Sequence, residues 1–242
     1  MSRNISNRRI AALIFDFDGL IVDSESPGFQ AWSEVYATHG CSLPFDKYSA
    51  CIGTIGGFDL HAYLEEQSGR SLVRADLERA CTARWLELVK TQPMLPGVAG
   101  CVASAKQRGL KLAIASSSTL QWVTHNLRRF ALIDQFDAVC TRDYVSAVKP
   151  DPALYLLALE KLGVEADEAI AFEDSPNGVL AAKRAGIYCV AIPNPLTKDL
   201  PLELADLRLR SLEEFDIDNV WRYRSRRKSG EPRRVPRKRS GE

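Results

Sequence analysis

The chain lacks three things: a long apolar run, a paired-cysteine motif and a histidine cluster. Each absence removes a class of protein. No stretch approaches the roughly 18 consecutive apolar residues needed to span a bilayer, and the earliest apolar run, Ile10 to Phe15, stops at Asp16. That run is also too short for a signal peptide. The opening MSRNISNRR is basic and serine-containing like a transit segment, but reads as a flexible, frayed N-terminus over residues 1–9. An untargeted, cytoplasmic protein without membrane contact is expected. The six cysteines, Cys41, Cys51, Cys81, Cys101, Cys140 and Cys189, include no CxxC and have no histidine at zinc-ligand spacing. Such spacing suits a reducing compartment better than a disulfide framework, although an even count leaves bridging open. His39, His61 and His125 are scattered, which gives no local support to a histidine metal site or triad. Solenoid-type repeats are absent too.

What remains is 242 residues, 45% hydrophobic and 26% charged, enough for one sizeable core with an inserted module and incompatible with disorder throughout. The net charge of +1 conceals an asymmetry: residues 221–242 carry ten Arg or Lys against Glu231 and Glu242, leaving 22 basic and 29 acidic residues before them. The segment SRRKSGEPRRVPRKRSGE has too little apolar surface to offset ordering entropy, so residues 221–242 read as a basic disordered tail. Its two readings are an arm for nucleic acid or anionic lipid, and a solvated terminus. Nothing in the sequence indicates an oligomeric state.

From Arg9 the chain reads IAALIFDFDG, a short branched and aromatic run that suggests a buried strand delivering acids at its carboxyl end. The pattern recurs at LKLAIASSS (110–118), AVCT (138–141), AIAFED (169–174) and IYCVAIPN (187–194). Helical spacing fills residues 96–108, 120–130, 151–162 and 177–185, with Pro152 and Pro176 near helix starts, where a missing N–H is tolerated. Alternating strands and helices imply an α/β fold, a Rossmann-like doubly wound parallel sheet covered on both faces. One stretch breaks the alternation. Residues 26 to about 91 show only helical stripes, such as Phe29, Trp32, Val35/Tyr36 and Leu77, Cys81, Trp85, Leu88, spaced at threes and fours. These predict an inserted α-helical cap over residues 25–92, with the core formed by 10–24 and 93–220.

In such a sheet ligands gather where strands end, and those ends are polar here: Asp16 and Asp18, Ser116 and Ser117, Glu173 and Asp174, with Lys149 after the third strand. In an extended strand Asp16 and Asp18 leave on one face, before Gly19 allows a sharp turn. Two carboxylates so close call for a hard cation, and Mg²⁺ fits a site of few carboxylates, water and phosphate oxygens. With charge neutralised by metal and Lys149, an aspartate oxygen can attack phosphorus to form an aspartyl-phosphate. Asp18 is placed to protonate the leaving oxygen and then activate water. Each piece also has an ordinary reading: a solvated DxD, Ser116 as a helix cap, Lys149-Pro150 as a turn, Glu173-Asp174 as capping acids. Their order and shared rim carry the weight. The loop IGTIGG (52–57) lacks the Lys-Ser/Thr of a phosphate loop and reads as a flexible cap loop facing the site. Trp32, Phe58 and His61 are substrate-contact candidates, but packing within the cap is the favoured reading.

DFDGLIVDSES, AIASSS, VKPDP and FEDSPNGVLAAKRAG resemble the four ordered motifs of the haloacid dehalogenase-like hydrolases, over roughly residues 10–215. The insertion after the first motif and the DSPNG sequence are similar to the β-phosphoglucomutase and sugar-phosphate phosphatase branch. The resemblance implies a Rossmann-like core with a mobile cap and a Mg²⁺-dependent aspartyl-phosphate mechanism. By position it makes Asp16 nucleophile and metal ligand, and Asp18 general acid/base and metal ligand through its backbone carbonyl. Ser116 and Lys149 would hold the phosphoryl group, with Ser117 beside them, and Glu173 with Asp174 would complete the metal site. The chain departs from the mutases where Gly28 replaces their histidine and where IGTIGGFD carries no arginine. Loss of both groups favours hydrolysis over turning a bisphosphate around. The metal-free dehalogenases lack the second aspartate, so Asp18 and Glu173-Asp174 argue against that chemistry. The leading expectation is a phosphatase of a small phosphorylated metabolite, a sugar or polyol phosphate. The alternatives are a phosphomutase, and a binding protein whose basic tail grips nucleic acid or an acidic partner.

Overall fold

In a computed structural model, residues 10–53 and 57–219 are described; the expectations for residues 1–9, for the basic tail and for the middle of the cap loop fall outside them. Six strands, β1 (Ala12–Phe15), β2 (Lys111–Ser116), β3 (Ala138–Thr141), β4 (Ala169–Glu173), β5 (Tyr188–Ala191) and β6 (Leu207–Arg208), form one sheet in the order β3-β2-β1-β4-β5-β6. All neighbouring pairs are parallel, with Ile14 opposite Ala113 of β2 and Ala171 of β4. The expected doubly wound α/β sheet is therefore present, and the order in which strands are added switches direction between β1 and β4, where such folds open a crevice. The sixth strand was not anticipated: two edge residues are too few to show a period.

The two faces of the sheet are built from residues of different size. Leu13, Phe15, Leu112, Ile114, Ile170 and Phe172 point one way, toward the buried sides of α5 (Val98–Gln107) and α6 (Leu120–Arg129). Ala12, Ile14, Ala113, Ala115, Ala169, Ala171 and Ala191 point the other way, toward α7 (Ala153–Leu162) and α8 (Pro176–Arg184). The period of two assigns the faces, and mostly methyl-sized groups let α7 and α8 lie close against the sheet.

Between β1 and α5 the chain forms α1 (Glu25–Thr38), α2 (Phe45–Ser49), α3 (Leu60–Ser68) and α4 (Arg74–Val89), with no strand among the described residues. These helices enclose an apolar cluster of their own, including Ala31, Val35, Tyr36, Leu64, Leu77 and Cys81. Trp32 and Phe58 pack on that cluster, and the buried His61 places Nε2 3.0 Å from the Leu72 carbonyl oxygen. They are packing residues, as the aromatic stripes suggested. All six thiols are free. No helix among the described residues is long and apolar enough to cross a membrane.

Candidate active site

Asp16 is the first residue beyond β1, and its N–H donates to the Phe172 carbonyl of β4 at 3.0 Å. The neighbouring strand thus fixes the backbone that carries the carboxylate. From the other side of the crevice β4 contributes Glu173 and then Asp174, both buried. Lys149, 1% exposed, reaches between them: its Nζ donates to Asp16 Oδ1 and lies 2.6 Å from Glu173 Oε1. Burial alone would lower the lysine, but Asp16 and Glu173 raise it well above its ordinary value, so it stays charged.

One lysine does not neutralise three carboxylates. Oxygens of Asp16, Glu173 and Asp174 all lie within 4.8 Å of one another. Burial pushes Asp16 up to about 8, with Lys149 opposing and Glu173 and Asp18 adding to the rise. Asp174 is raised by burial and by Asp16 and Glu173. Its Oδ2 accepts from Asn194 Nδ2 at 2.8 Å, whereas its Oδ1 is buried with no hydrogen-bond partner. A buried acceptor without a donor is a costly arrangement, and a hard divalent cation with oxygen ligands satisfies it. The donor set fits such an ion.

The Asp18 carboxylate has a different set of partners. Its Oδ1 accepts from Ser24 Oγ (2.7 Å) and Trp122 Nε1 (2.9 Å), its Oδ2 from Ser118 Oγ (2.6 Å) and Ser116 Oγ (3.4 Å). Ser116 closes β2 and also accepts from the Ser118 N–H at 3.0 Å. The Ser117 hydroxyl oxygen, next in the chain, is buried without a partner. The structure thus joins Asp16, Lys149, Glu173 and Asp174 in one cluster and Asp18 with Ser116 in another, two residues along the same loop.

Several participants were not singled out from the sequence. Tyr155 of α7 donates to Glu173 Oε1 at 2.6 Å and holds it beside Lys149. Trp122 of α6 supports Asp18, and Asn194 supports Asp174. Glu25, at the start of α1, is pushed up to about 8 by burial and by the charges of Asp18, Asp16 and Asp23, with the Gly53 N–H opposing. Its position directly after the DFDGLIVDS run was the only sequence signal. The described part of the cap loop meets the core here: Asn177 Nδ2 donates to the Ile52 carbonyl at 3.0 Å, and a Cβ on Gly53 (φ +73°) would stand 2.3 Å from Ser175 Oγ.

At the switch point of a parallel doubly wound sheet, three buried carboxylates and one charged lysine are gathered into a single cluster. The family model for haloacid dehalogenase-like hydrolases matches residues 13–192, and the chain belongs to that family. The protein YhcW of Bacillus subtilis (strain 168) is 44% identical over 208 residues, covering 86% of this chain and 94% of the relative. Hexitol phosphatase B of Escherichia coli (strain K12) is 35% identical over 218 residues, covering 88% and 97% respectively. Among solved structures, a mutant of CbbY from Rhodobacter sphaeroides in complex with xylulose-(1,5)bisphosphate superposes with a TM-score of 0.70 at 32% identity, covering 84% of this chain and 95% of that one.

Proposed function

We propose that the protein is a Mg²⁺-dependent phosphatase that hydrolyses the monoester of a small phosphorylated metabolite, a sugar or polyol phosphate, through a phosphoaspartate on Asp16. The observation that carries the reading is the unpartnered Asp174 Oδ1, buried beside Asp16, Glu173 and the charged Lys149. Kinship with a hexitol phosphatase supports the substrate class. Gly28 supports hydrolysis over phosphomutation: a Cβ there would stand 2.3 Å from the Tyr48 hydroxyl, which leaves no room for an imidazole. We take residues 10–24 and 93–220 as the catalytic core and 25–92 as the cap, and six free thiols support a cytoplasmic setting.

Asp16, Glu173 and Asp174, with the Asp18 backbone carbonyl, are the groups that would hold the ion. When bound, Mg²⁺ offsets negative charge on the phosphoryl oxygens and the carboxylates. Lys149 adds positive charge at Asp16 and fixes its orientation, and Ser116 and Ser117 offer hydroxyls to the phosphoryl oxygens. Asp16 attacks phosphorus, the ester P–O bond breaks, and Asp18 gives its proton to the departing alcohol oxygen. Asp18 then takes a proton from water as the water oxygen attacks phosphorus, which releases phosphate and restores the Asp16 carboxylate.

Phosphate release from p-nitrophenyl phosphate and a panel of sugar and polyol monophosphates, with Mg²⁺ and with EDTA, tests the proposal. Metal-dependent release is expected, falling about a thousandfold or more in Asp16→Asn, whose amide is no nucleophile. Release that survives EDTA or the substitution would contradict the reading, as would interconversion of sugar 1- and 6-phosphates without net hydrolysis.

A further inference from the structure

Asn194 lies just beyond β5, 6% exposed, and every polar group of its side chain is engaged. Its Oδ1 accepts from the backbone N–H groups of Leu196 (2.9 Å) and Thr197 (3.0 Å), and its own N–H donates to Thr197 Oγ1 (3.0 Å). Two converging N–H donors can be met only by the amide oxygen, so the amide cannot turn over. Its Nδ2 therefore faces the core, donating to Asp174 Oδ2 at 2.8 Å and to the Gly19 carbonyl at 3.4 Å. Gly19 is required at this crossing, because a Cβ there would stand 2.2 Å from Asp174 Oδ2 and 2.6 Å from Asn194 Nδ2.

We propose that Asn194 is the positioning residue of the cation site: its locked amide occupies Asp174 Oδ2 and so commits Oδ1, the unpartnered oxygen, to the ion. The inference rests on the metal-dependent reading above. The loop behind Asn194 is braced, since Leu196 and Leu200 pack against the apolar cluster of α1–α4. A donor fixed on one carboxylate oxygen holds the rotamer and leaves the other oxygen for the ion.

The test separates positioning from ordinary loop support. Asn194→Asp keeps an oxygen for the Leu196 and Thr197 N–H groups but sets a carboxylate against Asp174 Oδ2. Asn194→Ala removes the turn bonds and leaves Asp174 without a donor but also without a repelling charge. Mn²⁺ binding is measured on the full chain without substrate, by the electron paramagnetic resonance signal of free ion, alongside thermal melting in EDTA. Positioning predicts that Asn194→Asp loses more Mn²⁺ affinity than Asn194→Ala, about 10- to 100-fold below wild type, while Asn194→Ala loses more thermal stability. Equal affinity in wild type and Asn194→Asp, or an affinity order that merely follows stability, would overturn the inference. Should Asn194→Asp fail to fold, wild-type affinity in a folded Asn194→Ala would overturn it; a loss there with wild-type affinity in Thr197→Val, which breaks the same turn at Oγ1, would support it, and equal losses in both would overturn it. Wild-type protein that binds no Mn²⁺ would instead count against the metal-dependent reading itself.

Discussion

The proposed chemistry depends on keeping two neighbouring aspartates in different surroundings. Asp16 shares a buried cluster with Lys149 and Glu173, whereas Asp18 is surrounded by two serine hydroxyls on Oδ2 and by Ser24 and Trp122 on Oδ1. An asparagine fits at position 18 with its NH₂ toward Ser116 and Ser118, because their hydroxyls can rotate to accept. Asp18→Asn should therefore melt with wild type while kcat falls about 10²- to 10⁴-fold, the usual range for a lost general acid/base. Unchanged kcat in steady-state assays would move the acid/base role elsewhere. The acids at the ends of β1 and β4 were legible because they terminate apolar runs, and Lys149 because it follows another such run. Tyr155, Trp122 and Asn194 were not legible, since their roles arise from neighbours 18, 104 and 20 positions away in sequence.

Among the elements, α8 shows how tightly a helix start can be tied to the site. Ser175 caps it by accepting from the Gly178 N–H at 3.2 Å, and Pro176 occupies its first turn, where no donor is missed. Glu173 folds back over this turn, so a Cβ on Gly178 would stand 1.9 Å from its Oε2. The carboxylate has nowhere to retreat, being held by Tyr155 and Lys149. Gly178→Ala should cost about 1–3 kcal/mol by overpacking and weaken Mn²⁺ binding. A folded variant with wild-type melting and wild-type affinity would show that Glu173 is not so confined. The sequence marked Pro176 as near a helix start, and the alternation of strand and helix revealed five of the six strands. It could not show why position 178 is glycine, which is a matter of a side chain returning from the preceding strand.

Among the described residues, the cap and core meet beside the site at several places. Trp85 of α4 packs on Trp122 of α6 with ring centroids 4.6 Å apart and the rings tilted by 49°, and donates to the Ser24 carbonyl at 3.0 Å. Asn177 holds the Ile52 carbonyl, and Leu196 and Leu200 rest against the cap's apolar cluster. The same Trp122 supports Asp18 and the same loop carries Asn194, so the groups that orient the site also form its boundary with the cap. The helical insert was visible in the sequence as a missing strand pattern, but these contacts were not, because they join segments with no shared periodicity. The proposed mechanism depends on covalent phosphorylation of Asp16 during turnover. Its most direct test is acid quenching during turnover of the best panel substrate, followed by peptide mass spectrometry. A phosphoryl adduct on Asp16 that forms with Mg²⁺ and is absent in EDTA is the result expected. Steady turnover with no adduct on Asp16 at any quench time, in wild type and in an Asp18→Asn variant that should prolong the intermediate, would contradict it.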